Sequence, residues 1–515
     1  MQNNSTAITY VFFACVVAFV SHILFSKYGF NPTDEGFILH ISNSLLHHQV
    51  PHADFISIRP VGSAILHIPE LFFKDNLFLV SRFIFWLEQI SIAILWYLYL
   101  ERAFEIKISN NTKYAYIILI YIFNIHYFPA MALHTIDAIF CSIVGLYIIS
   151  SNLKYSYLGF FFIGYAALCK QNFLAFAPLS ILLFNQKKYI QTILFACMPI
   201  LLYILYLYQH NALTDFIEQI SVKNNLLEVG IISYFSNYVF IVAFIIYGIL
   251  YAIQIHKKYT IALIFIIYIS LLCSNHYTGK YSFIIMSVLL IELLLKIITT
   301  KKNIKIYLTT LGLAWCVSIS IGYHTPALVV GACMSVLFMQ YHKIIEQNKN
   351  TFYLLTILSI LSFIYVRYNN IYREKKAKQL TYNLTNIVDG ANGIYTNKNT
   401  YLVLKELQQI KKERKNIEVV PDFTACQIYK SNQSIININW ANITETTDEN
   451  ITNKLINNIL ANNRNSIFAI PKYQTAWLHK GFIKQKNEGK NYPIVKYIKE
   501  KYILIAETKC FLLYQ

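Results

Sequence analysis

Long apolar runs follow one another through positions 1–370, separated by short polar breaks such as Lys187-Lys188, Lys257-Lys258 and Lys301-Lys302. A soluble core cannot bury that many runs, whereas a bilayer takes each one as a helix with its backbone bonded internally. The chain is 56% hydrophobic and 14% charged, with a mean hydropathy of +0.44, which excludes an ordinary soluble multidomain protein. The formal net charge of +18 could suggest nucleic acid. Much of it lies in the breaks between runs, where the positive-inside rule accounts for it, so no nucleic-acid partner is expected.

The pattern predicts an all-α polytopic membrane protein of about thirteen transmembrane helices. The runs lie near 7–25, 77–100, 114–133, 136–150, 157–169, 173–184, 189–208, 231–253, 261–273, 282–298, 306–321, 326–341 and 352–368. The first lacks a basic flank and a small-residue cleavage pattern and is expected to stay as an anchor. Alternate breaks differ in charge: Arg102, Lys107, Lys113, Lys154 and the Lys pairs fall on one side, and Lys27, Arg59, Lys74, Lys170, Lys223 and Lys280 on the other. The richer side is cytoplasmic by that rule, which puts residues 26–76, Lys170 and the C-terminal part outside. Arg367, Arg373, Lys375, Lys376 and Lys378 run against it.

Residues 1–370 thus form the membrane domain. From 371 to 515 the composition turns to Asn, Lys, Glu and Ile, and a soluble α/β domain is expected, with a helix over Tyr401–Ile410 and strands at Ile417–Val420, Ser466–Ile470 and Tyr502–Ala506. Cys426 and Cys510 are the two cysteines of this part and could pair outside the cytoplasm. No Cys/His metal pattern appears, and His126, His134, His276 and His324 read as packing residues.

The first loop is long and polar for a connection between spans, which marks it as functional. A helix is expected from Thr33, with Asp34 and Glu35 in its first turn, Phe37, Ile41 and Leu45 on the membrane side and His40, Asn43 and His47 opposite. A second interfacial piece carries Val61, Ala64, Ile65, Ile68 and Phe72. An acidic pair at a membrane boundary is costly unless it is solvated, paired or used. Its plain reading is a helix N-terminus; Arg59 could snorkel or pair with Asp54, and Lys170 could anchor at the interface. Asp34, Arg59, Asp137 and Lys170 are nevertheless all expected near one membrane face. A carboxylate base with two cations suits attack on a centre whose leaving group is a phosphate.

Asp34-Glu35, Gln49-Val50-Pro51-His52-Ala53-Asp54-Phe55, Arg59-Pro60 and Ser81-Arg82 together resemble the first external loop of GT-C glycosyltransferases, especially the protein O-mannosyltransferase and aminoarabinose transferase group, family 39-like. His134-Thr135-Ile136-Asp137, and Gly159 through Gly164 to Leu168-Cys169-Lys170, are similar to two further segments of that group. The resemblance covers about the first 185 residues. It implies a GT-C fold and transfer of a sugar from a polyprenyl-phosphate donor to an envelope glycan, lipid or protein, outside the inner membrane of a bacterium. Asp34 would be the base and Glu35 the second catalytic acid, supporting sugar or acceptor binding, and Arg59, Asp137, Lys170, Asp54 and Arg82 would bind substrate. Arg59 stands where the group has a lysine, and Cys169 where it has a threonine. Asp34, Glu35 and Asp137 could hold a divalent cation or could work without one, and no other cofactor is expected. A transporter, a glycan flippase or an envelope-assembly protein is the alternative; a transporter is expected to show internal repeats or mid-span charges.

Overall fold

The computed structural model describes residues 2–125, 129–151, 155–184, 189–221, 291–299, 303–318 and 330–515, apart from 430–433, 442–444, 447–448, 463–465 and 485–491, with a few positions between 241 and 252. Its helices are α1 (Gln2–Phe25), α2 (Phe37–Leu46), α3 (Gly62–Leu66), α4 (Leu77–Ala103), α5 (Asn110–Ile125), α6 (His134–Ser150), α7 (Gly159–Cys169), α8 (Phe176–Leu183), α9 (Tyr189–Gln209), α10 (Leu213–Ile220), α11 (Ile304–Ser318), α12 (Val330–Gln340) and α13 (Lys349–Asn369) in the apolar part. Helices α14 (Lys398–Glu413), α15 (Glu449–Asn462) and α16 (Pro493–Lys501) follow.

Four helical stretches among the described residues are long and apolar enough to cross a membrane: 7–25, 68–103, 189–209 and 349–369. The expected count of about thirteen does not hold. Among the described residues, the runs read as spans at 114–133, 136–150, 157–169, 173–184, 306–321 and 326–341 hold helices of 16, 17, 11, 8, 15 and 11 residues. An 11-residue helix rises about 16 Å, roughly half of a hydrocarbon core. Short 3₁₀ turns at Ser156–Leu158 and Gln171–Ala175 divide the apolar stretch that holds α7 and α8. Hydropathy reports the solvent a run prefers and not whether its backbone stays in one helix. The runs near 231–253, 261–273 and 282–298 lie largely outside the described residues.

Helices α4, α5, α6 and α7 pack around Trp86, Trp96, Tyr97, Tyr116 and Phe160, all fully buried. Helices α1, α9 and α13 turn large apolar side chains outward, among them Phe12, Ile190 and Leu361. Exposed apolar faces of this extent suit lipid.

The C-terminal part holds a short hairpin, β1 (Tyr382–Asn383) with β2 (Tyr395–Thr396), and a mixed sheet in the order β3-β4-β6-β5. Here β3 (Ile417–Val419) runs parallel to β4 (Ile467–Pro471), while β6 (Phe511–Tyr514) lies antiparallel to both β4 and β5 (Leu504–Glu507). The period of two along β4 explains the layers: Ile467 and Ala469 pack with Val403, Leu404 and Leu407 of α14, and Phe468 and Ile470 with Leu455, Ile459 and Ile498 of α15 and α16. Cys426 and Cys510 do not pair; both are free thiols, packed in the same apolar cluster.

This sheet region sits directly on the first loop. Main-chain bridges join Tyr28 to Tyr395 and Ile56 to Ile438, and Ala425 N donates to Pro32 O at 3.1 Å. The contact is close enough that a Cβ added at Gly36 would stand 2.3 Å from Ala425 Cα. Helix α2 is therefore not simply interfacial: its polar side meets protein, with Asn43 donating to Ile428 O at 2.8 Å.

Candidate active site

The turn at residues 31–36 presents the two acidic residues in opposite directions. Asn31 Oδ1 accepts from Thr33 N at 2.9 Å and Asp34 N at 3.1 Å, a side-chain mimic of a turn. The expected helix from Thr33 consequently begins only at Phe37, so Asp34 and Glu35 do not occupy its first turn.

Glu35 points inward. Its Oε1 lies 2.5 Å from Arg82 Nη2, and the same guanidinium donates to Gly29 O at 2.6 Å and to Ser26 O. Both residues are buried, so the pair fastens the loop to the first turns of α4. Asp34 points outward, where its Oδ2 accepts from Arg373 Nη1 at 2.7 Å and Tyr372 Oη at 2.8 Å. Burial raises its pKa above the usual carboxylate value against the pull of Arg373 and Tyr372. A carboxylate with that bias is suited to take a proton.

Arg59 lies beside Phe37, the first residue of α2. Its Nη1 reaches Glu445 Oε1 at 2.6 Å, not Asp54, and its guanidinium carbon is 5.0 Å from the centre of the Phe37 ring. Phe37 also touches Trp440, at 4.6 Å between centroids, and His134, at 5.6 Å. Lys170, buried at the end of α7, donates to Thr135 Oγ1 at 2.9 Å, and the adjacent Gln171 reaches Ile58 O at 3.4 Å. Burial, and then the charge of Arg59, push the Lys170 amine down to about 7. Asp54 stays exposed and caps its own turn, accepting from Val50 N at 2.6 Å.

Asp137 belongs to a different group. Its Oδ1 is 3.2 Å from His67 Nε2, and His67 Nδ1 is 2.5 Å from Glu70 Oε1. Glu88, midway along α4, completes a trio in which one ligand-type atom each from His67, Glu88 and Asp137 lies within 4.8 Å of the others.

A small solvent-open cleft of about 50 Å³ lies beside the acidic turn, lined by Asn31, Glu35, Arg82, Arg367 and Tyr372 among others. Arg367 leans on Trp86, 5.1 Å from the ring centre. Arg367 and Arg373 are two of the five cations that run against the charge rule, and they face the acidic turn. That conflict was the signal for them. Glu445 and Trp440 left none, because their role depends on the sheet region folding back onto the loop. His67 and Glu70, three apart, and the mid-run Glu88 carry a signal in the sequence itself: ionisable residues set among apolar ones.

No protein-family model, curated protein or solved structure matches the chain.

Proposed function

We propose that this protein is a membrane-embedded inverting glycosyltransferase of the GT-C type, moving a sugar from a polyprenyl-phosphate donor to an envelope glycan, lipid or protein. The active site and the C-terminal domain would face away from the cytoplasm, across a bacterial inner membrane. One observation carries the reading: Asp34 and Arg59 flank one aromatic pair, with Lys170 near enough to Arg59 to feel its charge. Trp440 donates to Thr33 O, next to Asp34, and packs on Phe37, which in turn touches Arg59.

In this reading Asp34 takes the proton of the acceptor hydroxyl or amine as it attacks the anomeric carbon. Arg59, whose planar fork matches phosphate oxygens, and Lys170 hold the charge that develops on the departing lipid phosphate. Glu35 and Arg82 keep the turn in place and do not touch the reacting atoms. Substrate would displace Arg373 from Asp34 and Glu445 from Arg59.

A transporter or flippase is the second reading, and Glu88 favours it, since an ionisable residue within a span often marks a translocation path. The two are separated by transfer from a panel of polyprenyl-phosphate sugars in proteoliposomes. Asp34→Asn protein that inserts normally is expected to lose about 10²- to 10⁴-fold in rate. Undiminished transfer removes Asp34 as base, and no transfer by the unmutated protein from any donor removes the transferase reading. A reporter fused after Tyr382 tests the sidedness; a cytoplasmic signal there overturns it.

A further inference from the structure

We propose that His67, Glu88 and Asp137 bind one divalent transition-metal ion of the Zn²⁺ or Mn²⁺ class, clipping the first loop to α4 and α6. The inference goes beyond sugar transfer and does not depend on it.

The three ligands come from three elements: His67 from the turn after α3, Glu88 from the middle of α4 and Asp137 from the first turn of α6. Two ligands of one tetrahedral zinc lie about 3.3 Å apart. The His67 Nε2 to Asp137 Oδ1 separation of 3.2 Å matches that spacing. Glu88 lies within 4.8 Å of both, a gap that small side-chain rotations close around an ion bonded at about 2.0–2.2 Å.

Two further observations point to a cation. His67 Nδ1 is held by Glu70, the carboxylate–histidine arrangement that fixes the tautomer and turns Nε2 toward a metal. Asp137 Oδ2 and Glu70 Oε2 are buried and accept no hydrogen bond from the protein. Three carboxylates surround one imidazole in this interior. Even a protonated His67 leaves two negative charges there, which burial makes costly. One imidazole with carboxylate oxygens suits a borderline divalent ion better than a soft monovalent one.

A proton held between two of the carboxylates is the competing account, and a binding experiment separates the two. Detergent-solubilised full-length protein is stripped with a chelator, dialysed and titrated with Zn²⁺ and separately with Mn²⁺, with metal content read by mass spectrometry. Close to one ion per chain is expected, and Co²⁺ should add a ligand-field absorption band. Glu88→Gln and Asp137→Asn should abolish both signals, and Glu70→Gln should weaken affinity by about 10- to 100-fold. Should a variant fail to fold, the titration of the unmutated chain still decides. An unmutated chain that retains none of these ions after dialysis, or ligand variants that bind as well as the unmutated chain, overturns the proposal.

Discussion

The acidic turn and the polar cluster around His67 are both buried groups of ionisable residues, and they solve the same electrostatic problem differently. At the turn and its flank each carboxylate faces its own guanidinium: Asp34 with Arg373, Glu35 with Arg82 and Glu445 with Arg59. Around His67, three carboxylates share one imidazole. Matched pairs need chain from elsewhere to supply one partner, and two of the three pairs reach into the C-terminal part. The cluster draws only on residues 67–137. One arrangement is complete as a set of side chains; the other asks for a cation from outside.

Neutralising one carboxylate in each region tests that contrast most severely. Glu35→Gln leaves Arg82 buried without its counterion and is expected to cost about 3–5 kcal/mol, seen as a lower melting temperature in detergent. Glu88→Gln in chelator-treated protein should cost nothing or stabilise slightly, because it removes a repelling charge. An equal loss from both would erase the distinction.

A smaller effect should come from Asp422, which accepts from Thr475 Oγ1 at 2.8 Å behind the acidic turn. Burial pushes its pKa up from 3.8 to about 6, with the nearby charge of Asp34 adding to the rise. Its protonated form is favoured by folding, so the contribution is complete below about pH 4 and lost as pH rises through about 6, roughly 2–3 kcal/mol in all. Melting of the unmutated protein minus that of Asp422→Asn, followed across this range, should show that slope; a flat difference would mean that Asp422 is already matched like its neighbours.

The smallest effect concerns Lys170. With its amine down to about 7, it is cationic below that pH and neutral above it. If it binds donor phosphate, KM for the donor should rise by about ten-fold or more as pH increases past neutrality, the size of one charge-assisted contact. A KM unchanged across that range would return Lys170 to an anchoring role beside Thr135.

Some of this was legible in the chain itself. Helix α4, the helix over Tyr401–Ile410 and the β strands near 417, 467 and 504 appear where their apolar periods place them, because local patterns report local backbone. Lys170 and the Arg59 segment do lie close together, as their shared place on the charge-poor side suggests, but the fold brings them there through the short helix α7. The helix start was misplaced by a few residues because Asn31, not Thr33, organises the turn, and competing caps look alike without coordinates.

The sequence alone determined that this is a helical chain with membrane-suited apolar faces, a mixed α/β ending and a charged first loop, since hydropathy and periodicity act over a few neighbouring residues. Only the tertiary structure decided which runs are long unbroken helices, that Glu35 is a brace while Asp34 turns outward, and that Arg373, Glu445 and Trp440 meet the loop. Those outcomes depend on contacts between residues hundreds of positions apart, and a buried charge takes its meaning from whichever partner the fold brings within reach.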